Sequence, residues 1–204
     1  MDFTVASYAV WRADETSAKP DVSFIPPLER RRLTGVERAA LSVAWQVRPE
    51  GEVPVVFASR WGEIGVTVKL MTQFHADREM SPAGFSASVH NAAPGAFSLL
   101  TKSHAPYTAI AARERSLEAG LLEALTQGAV VFVFAEEATP AFYAPAFGPL
   151  QPACALAVRL EPGGPCRADF HSTECAPVSF DAADAFFSGR ADALEAASFT
   201  LTRA

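Results

Sequence analysis

The chain has 204 residues, of which 50% are apolar, 20% are charged and 10% are aromatic. This length suits one large globular domain or two small ones, and the apolar content allows a substantial core. A disordered chain would have few apolar residues, and a membrane-spanning helix would need about 18 or more consecutive apolar residues. The longest uninterrupted apolar run covers only residues 129–135, so the composition excludes both classes.

The charge balance argues against nucleic-acid binding as the main activity. The formal net charge is −6, from 17 basic and 23 acidic side chains, whereas phosphate affinity requires clustered basic charge. The nearest basic cluster, Arg30, Arg31 and Arg32, either holds an anionic partner or a phosphopantetheine group, or forms a solvated surface with local ion pairs. The N-terminus lacks a basic segment and a cleavage signature, which predicts the first strand of a cytoplasmic protein.

The cysteine pattern favours reduced thiols. Cys154, Cys166 and Cys175 all lie in the last quarter of a chain that has no recognisable signal peptide. Together with His171 they are four candidate zinc ligands, but they lack the close cysteine pair of structural zinc sites. Common nucleotide-binding and metalloenzyme motifs are also missing. We therefore expect neither a metal nor a cofactor.

Hydrophobic periodicity predicts alternating strands and helices over most of the chain. Such alternation is typical of an α/β domain with parallel strands and helices on both faces of the sheet. The strand over residues 129–135 is the most apolar, so we expect it to be central and buried on both faces. In chain order the predicted elements are a strand at 3–10, a helix at 28–45, a strand at 53–58, a helix at 61–75, a helical segment within 85–100, a strand at 107–110, a helix at 112–127, and strands at 129–135 and 154–160.

The sequence after residue 161 changes character. It contains a predicted short strand at 167–171, an Ala-rich helix near 181–197 and a Thr-rich end. This segment is too small to bury a core of its own. We therefore predict one domain over residues 1–160 and a C-terminal extension, residues 161–204, packed on it.

A cluster of polar residues lies within residues 85–98. His90 and Asn91, followed by Gly95 and Ser98, are suited to an oxyanion site or to a general base with its orienting partner. The same residues also suit a structural role, in which Asn91 caps a helix and Gly95 permits close backbone approach. The residues alone leave both interpretations open.

Five separated blocks of sequence follow the order found in a known family. Asn91, Gly95 and Ser98 recur at the family's spacing, and the full set of blocks is 30–33, 56–63, 81–99, 119–124 and 130–134. Over roughly residues 1–160 the chain resembles the N-terminal domain of β-ketoacyl synthases. Within that family it is similar to the short chain-length-factor-like proteins of aryl polyene and xanthomonadin-type pigment clusters. The resemblance implies half of a thiolase-like fold, with a mixed, mostly parallel five-stranded sheet between helix layers.

The chain departs from the family at the catalytic position. In a ketosynthase the strand here at 107–110 ends in a nucleophilic cysteine, on the turn into a helix whose dipole lowers the thiol pKa. The resemblance places that position at Ala111, beside Ala112 and Arg113, none of which is a nucleophile. The family's two catalytic histidines come from a second half of the fold, which we expect this chain to lack. Condensation is therefore not expected on this subunit alone.

The resemblance implies a non-catalytic, chain-length-factor-like subunit. Its expected partners are a catalytic ketosynthase, as a heterodimer in fatty-acid or polyketide-type polyene biosynthesis, and an acyl carrier protein that contacts Arg30, Arg31 and Arg32. Family dimers pair the strand before the active-site turn and the helix after the asparagine. The corresponding interface or acyl-tunnel candidates are Phe85, His90, Asn91, Phe97, Ser98, Leu100, Thr108, Ala109 and Ile110.

Two other functions stay open at this point. A stand-alone acyl-thioester hydrolase would need Ser86, Ser88 or Ser116 close to His90 or His104, and no orienting carboxylate is evident from the sequence. Alternatively, a non-catalytic scaffold would dock a carrier protein through the three arginines without any influence on chain length. For Phe85, Phe97 and Leu100, an ordinary place in the core is the alternative to a tunnel position.

Overall fold

The computed structural model describes residues 1–13, 19–147 and 152–203. Single 3₁₀ turns lie at Arg113–Arg115 and Ala141–Tyr143. The helices and strands, in chain order, are β1 (Asp2–Arg12), α1 (Pro27–Arg30), α2 (Gly35–Val47), β2 (Val55–Ala58), α3 (Ile64–Asp77), α4 (Pro82–Ser86), α5 (Ala92–Thr101), β3 (Tyr107–Ile110), α6 (Ser116–Thr126), β4 (Val130–Glu136), α7 (Ala144–Phe147), β5 (Cys154–Pro162), β6 (Cys166–Phe170), α8 (Phe180–Phe187), β7 (Ala193–Glu195) and β8 (Phe199–Arg203).

The strands of the described residues form one mixed sheet in the order β3-β2-β4-β5-β1-β6-β8-β7. β2 pairs in parallel with β3 and β4, and every other pair of neighbours is antiparallel. The predicted α/β class is confirmed. The sheet nevertheless has eight strands rather than five, and antiparallel pairs outnumber parallel ones, because the C-terminal residues contribute β6, β7 and β8.

Helices cover both faces of the sheet and create two cores. On one face α6 and α8 pack against the sheet, and on the other α2 and α5 do so. Alternation along β2 shows the division, since Val56 and Ala58 face the α6 side while Phe57 faces the α2 side. β4 is buried along its whole length, as the sequence predicted. No helix of the described residues is both long and apolar enough to cross a membrane.

The predicted helix over 28–45 is wrong as a single element. A capping box divides it: the Glu37 amide donates to Thr34 Oγ1 at 3.0 Å, and the Thr34 amide donates to Glu37 Oε2 at 2.8 Å. This reciprocal pair satisfies two amides at the start of α2 and favours a helix that begins there. The starts predicted for α3 and α6 are likewise too early, and the sequence analysis does not predict α4.

The helix predicted near 181–197 is correct only in its first part. α8 ends at Phe187, Gly189 adopts a positive φ of 77°, and the chain then forms the β7–β8 hairpin. α8 is tied to β1 by Asp184, which accepts hydrogen bonds from Tyr8 Oη and from Arg12 Nη2, the latter at 2.7 Å. β6 pairs with β1, so the C-terminal strands continue the same sheet.

Close packing of α6 on the sheet yields a stability prediction at Gly120. A Cβ added there would lie 2.5 Å from Ala58 Cβ and 2.6 Å from Phe132 Cε2. We expect Gly120→Ala to lower the free energy of unfolding by about 1–3 kcal/mol through overpacking. Gly51 has nothing within 4 Å of an added Cβ, so Gly51→Ala is the matched control and should leave the urea midpoint almost unchanged. Equal midpoints for both variants would contradict this account of the packing.

Candidate functional site

The carboxyl ends of β2, β3 and β4 lie at one edge of the sheet because these strands run in parallel. In α/β proteins this edge is where ligands and catalytic groups are usually placed. Ser59 follows β2, Ala111 follows β3, and Glu136 ends β4. The position that the resemblance assigns to a nucleophile therefore lies at the expected edge.

The turn between β3 and α6 begins with Ala111, which is not a nucleophile. Ala111 is exposed and Ala112 is half-buried. Ser116, at the start of α6, fixes the turn: its Oγ accepts from the Ala112 amide at 2.9 Å and donates to the Arg113 carbonyl at 2.7 Å. Arg113 has a positive φ of 54°, which is uncommon for a residue other than glycine. The turn is thus ordered by hydrogen bonds, and it carries an alanine at the position where the resemblance implies a thiol.

A carboxylate at the end of β4 holds the loop that follows β2. Glu136 accepts hydrogen bonds from Ser59 Oγ at 3.1 Å, from the Trp61 amide at 3.4 Å and from the Arg60 amide. Burial raises the Glu136 pKa to about 7, although these hydrogen bonds favour its charged form. Two acids directly after the apolar run 129–135, Glu136 and Glu137, are a sequence signal for this site that the sequence analysis missed.

His90 braces the same loop from the other side. Its Nε2 lies 2.9 Å from the Ser59 carbonyl oxygen, and its ring meets Phe57 edge-on at 5.7 Å between centroids. A carbonyl oxygen only accepts, so Nε2 carries the hydrogen of this bond. The ring also packs against Gly62, where an added Cβ would lie 2.9 Å from His90 Cδ2. These contacts give His90 a structural role.

Glu63 is a second buried carboxyl group behind the loop. Its Oε1 accepts from Thr34 Oγ1 at 2.9 Å, and its buried Oε2 has no hydrogen-bond partner. Burial, with the nearby charges of Glu37 and Glu137, raises the Glu63 pKa to about 8. Glu63 is therefore mainly protonated at pH 7. Among the described residues, no group of three or more His, Cys, Asp or Glu side chains is arranged to hold a metal ion.

The predicted interface residues separate into two groups. Thr108, Ala109 and Ile110 form β3, which is the last strand at its end of the sheet. The apolar interface candidates on α5 point into the protein: Phe97 is buried in the α2-side core, and Leu100 packs against that core.

The remaining polar and basic candidates have mixed environments. Ser98 Oγ donates to the Ser103 carbonyl at 2.8 Å, and the Asn91 side chain makes no capping hydrogen bond to α5. Phe85 is exposed. Arg31 and Arg32 are exposed, whereas Arg30 is half-buried.

Exposed apolar side chains near β3 were missed by the sequence analysis. Leu99, on the outer side of α5, has 82% of its surface exposed. Tyr107 begins β3, is itself exposed, and lies against Gly95 one turn before Leu99. Other exposed apolar residues lie on α3 and α4 or in the segments next to them, namely Met71, Phe74, Met80, Phe85 and Val89.

The hydrolase interpretation gains no support from the geometry. Ser116 is committed to the turn, Ser86 and Ser88 bond to backbone carbonyls of their own helical segment, and His90 bonds to the Ser59 carbonyl. None of the candidate serines hydrogen-bonds to His90 or His104 within the described parts of the chain.

The raised pKa of Glu63 predicts a pH dependence of stability. The folded state keeps this proton up to about pH 8, whereas a glutamate in the unfolded chain loses it near its ordinary pKa of 4.5. The stabilisation is therefore fully present below pH 4.5 and is lost as the pH rises through about 8, by about 1.4 kcal/mol for each pH unit over which the states differ by one proton.

Glu63→Gln mimics the protonated side chain, so we expect its free energy of unfolding to fall less between pH 5 and pH 8 than that of the unsubstituted protein. Urea unfolding at both pH values measures this difference. Glu114→Gln, at an exposed carboxyl group, is the control. Parallel pH profiles for Glu63→Gln and the unsubstituted protein would contradict the assignment.

Comparison with known proteins places this geometry in a family. Residues 6–196 match the sequence profile described as beta-ketoacyl synthase, N-terminal domain. No curated protein matches the chain by sequence. Among solved structures, the ketosynthase (ApeO) in complex with its chain length factor (ApeC) from Xenorhabdus doucetiae matches with a TM-score of 0.80 and 21% identity, over 100% of both chains.

Two further solved structures share the fold over part of their length. The ishigamide ketosynthase/chain length factor matches with a TM-score of 0.52 and 15% identity, over 68% of this chain and 49% of that one. A beta-ketoacyl synthase from Burkholderia phymatum STM815 matches with a TM-score of 0.58 and 12% identity, over 87% of this chain and 58% of that one. This chain thus spans about half the length of these two proteins.

The thiolase-like fold implied by the sequence resemblance is confirmed by these structural matches. The family profile covers nearly the whole chain, including β1 from its fifth residue, the turn after β3 and most of the C-terminal strands. This chain belongs to the family of β-ketoacyl synthase N-terminal domains.

Proposed function

We propose that the chain is a non-catalytic, chain-length-factor-like subunit that forms a heterodimer with a catalytic β-ketoacyl synthase. It would act in the cytoplasm, in polyketide-type biosynthesis of an aryl polyene-like product. The observation that carries the proposal is the combination of Ala111 at the nucleophile position with an unpaired edge strand directly before it. Residues 1–160 would be the synthase-like domain and residues 161–204 an extension of its sheet.

The backbone of β3 offers hydrogen bonds to a partner. The Val55 amide donates to the Pro106 carbonyl at 3.1 Å, and the Ser59 amide donates to the Ile110 carbonyl at 3.2 Å. Because bonding direction alternates along a strand, the backbone groups of Tyr107 and Ala109 point away from β2. An unpaired edge of this kind is a liability in a monomer, and a partner strand would satisfy it.

Two exposed apolar side chains lie beside this edge. Tyr107 is on β3 itself, and Leu99 is on α5, which packs next to β3. Exposed apolar residues grouped around an unpaired strand are typical of a protein interface. We therefore propose that Leu99 and Tyr107, rather than the buried Phe97, make the main side-chain contacts with the partner.

The proposed partner is a ketosynthase for two reasons. The chain belongs to the synthase family but lacks a nucleophile on the β3–α6 turn, so condensation would have to use another subunit's cysteine. A solved structure that resembles it over its whole length is described as a ketosynthase in complex with its chain length factor. Cys154, which pairs with Glu136 at this sheet edge, is unsuited to replace the missing thiol, because burial raises its pKa to about 12.

The direct test is to co-express the chain with candidate ketosynthases and to measure the stoichiometry of the subunits that purify together. We expect a one-to-one complex whose condensing activity needs this chain and resides in the partner's cysteine. Ala109→Pro removes an outward amide of β3 without removing a bond to β2, and we expect it to abolish the complex while the chain stays folded.

The matched control lies at the opposite end of the sheet. The Arg203 amide donates to the Asp192 carbonyl at 2.8 Å and the Ala196 amide donates to the Phe199 carbonyl at 2.9 Å, so Ala193 also points away from its neighbouring strand. Ala193→Pro should therefore leave the complex intact. Loss of the complex in both variants, or in neither, would contradict the β3 interface, and a homodimer that ignores every synthase would contradict the proposed function.

A carrier-protein contact is the remaining part of the proposal. The exposed Arg31 and Arg32 lie just after α1, where they are accessible to an acidic partner. We expect Arg31→Glu combined with Arg32→Glu to weaken binding of acyl carrier protein to the complex, with an effect that shrinks as salt is raised. Arg167→Glu, at the exposed start of β6, is the charge-matched control. Surface plasmon resonance measures the affinity for acyl carrier protein. Equal affinities of the double arginine variant and of Arg167→Glu would contradict this contact.

A further inference from the structure

The segment that contains α3 and α4, residues 64–86, lies largely outside the packed body of the protein. Every residue from 71 to 83 is exposed, and neither core, over the described residues, includes a residue of this segment. The buried side chains of α3 are Ile64, its first residue, and Leu70, which lies against Gly84 of α4. The attachment of the α3–α4 segment therefore depends on the first turn of α3.

Carboxyl groups from different elements hold this first turn. Glu137, which follows β4, accepts a hydrogen bond from the Gly65 amide, and its Oε2 would lie 3.4 Å from a Cβ added at Gly35. The Glu137 carboxyl group thus lies between the first turns of α3 and α2. Glu63, the residue before α3, accepts a hydrogen bond from Thr34 Oγ1 at 2.9 Å. These contacts tie α3 to the start of α2 and to the end of β4.

The surroundings of Glu63 suit a protonated acid and not a carboxylate. Only 3% of its surface is exposed, and its buried Oε2 has no hydrogen-bond partner. Glu37 on α2 and Glu137 act on it as like charges. Among the described residues, no salt bridge includes any of these three acids. A charge on Glu63 would therefore be buried beside two other acids and without a cation.

The other ionisable groups on the elements next to Glu63 are directed elsewhere. Lys69, on α3 itself, is exposed. The remaining groups have partners of their own, namely Arg38 with the Arg30 carbonyl, Arg60 with Glu114, Glu136 with the loop after β2, and His90 with the Ser59 carbonyl. Within the described parts of the chain, none of them forms a salt bridge that would compensate a charged Glu63.

The two helices that meet at Glu63 differ in how firmly the protein holds them. Nine residues of α2 are buried, against two of α3. Repulsion between the acids would therefore displace α3 and leave α2 in place. Elements with few buried contacts open locally at a lower free energy than the whole protein unfolds. A released helix of 14 residues is also marginal in water, so α3 would lose its helical hydrogen bonds.

We propose that Glu63 is a pH-sensitive latch, which holds the α3–α4 segment on the body when it is protonated and releases it when it loses its proton to solvent. The released carboxylate is hydrated, which removes the cost of a buried charge. The latch thereby controls how the exposed Met71, Phe74 and Phe85 are presented. It acts within this chain, so it is measured without a partner, and its failure is distinct from a failure of the heterodimer.

The raised pKa of Glu63 sets the pH range of the opening. In the closed state burial and the like charges raise this pKa to about 8, whereas in the released state the group titrates near its ordinary value of 4.5. The preference for the closed state is therefore fully present below pH 4.5 and is lost as the pH rises through about 8. The equilibrium constant for opening should rise about tenfold for each pH unit between these values and then level off.

Hydrogen–deuterium exchange of the full chain, measured by mass spectrometry at pH 6, 7 and 8, tests the latch. After correction for intrinsic exchange rates, amides of residues 67–74 should be less protected than those of α2 and β4 at each pH. Their protection should also fall about tenfold per pH unit. Equal protection of α3 and α2 would show that α3 opens only on global unfolding and would overturn the latch. Protection of α3 that does not change with pH would also overturn it.

Substitutions assign the response to Glu63. Glu63→Gln keeps an acceptor for Thr34 and cannot ionise, so the protection of its α3 amides should not change with pH. Glu114→Gln, at an exposed carboxyl group, is the control and should keep the tenfold dependence. If Glu63→Gln does not fold, Glu137→Gln is the second variant. It keeps an acceptor for the Gly65 amide but removes a like charge, so its α3 protection should level off at a lower pH. An unchanged pH profile in either variant would overturn the proposal.

Discussion

The buried strand β4 is the element on which the remaining structure depends. It pairs in parallel with β2 and antiparallel with β5, so it joins the parallel part of the sheet to the antiparallel part. Its side chains alternate between the two cores, with Phe132 on the α6 side and Val131 and Val133 on the α2 side. β4 is buried along its whole length and ends in Glu136 at the carboxyl edge. The polar groups next to this acid are therefore mainly those of the Ser59–Trp61 loop. The same strand thus organises both the cores and the site.

The two ends of the sheet are finished in different ways. Beyond β5 and β1, the C-terminal residues add three antiparallel strands and end in β7, which has only three residues. Short edge strands limit pairing with other chains. Beyond β2, the described part of the chain adds only β3, an edge strand whose neighbouring helix α5 exposes Leu99 to solvent. This asymmetry makes the β3 end the surface that a partner would complete.

The sequence predicts the elements whose patterns are strong and local. β4 is found because its apolar run is the longest in the sequence, and β3 is placed at the right residues by the same hydrophobic patterning. The division between α1 and α2 depends on the reciprocal Thr34–Glu37 hydrogen bonds, a signal present in the sequence but overridden there by the longer helical periodicity. The β7–β8 hairpin is missed because Ala-rich residues have a helical preference that pairing with β6 overrides.

The site is harder to predict than the fold, for a physical reason. Glu63, Glu136 and His90 are separated in sequence and meet only because the loop after β2 is held between β4 and the segment before α5. Periodicity says nothing about such tertiary contacts. The orientation of α5 shows the same limit: the sequence analysis assigns residues 97 and 100 to the partner side, yet the helix turns them inward and leaves Leu99 outside.

The β3–α6 turn connects these observations. In a synthase this turn would have to expose a reactive thiolate, which requires a cysteine at the helix start. Here the turn keeps its order through Ser116, which bonds to both Ala112 and Arg113, although no nucleophile remains to be positioned. The turn therefore exposes Ala111 at the position where the resemblance implies a catalytic cysteine, and the edge strand before it is the one that the proposed partner would pair with.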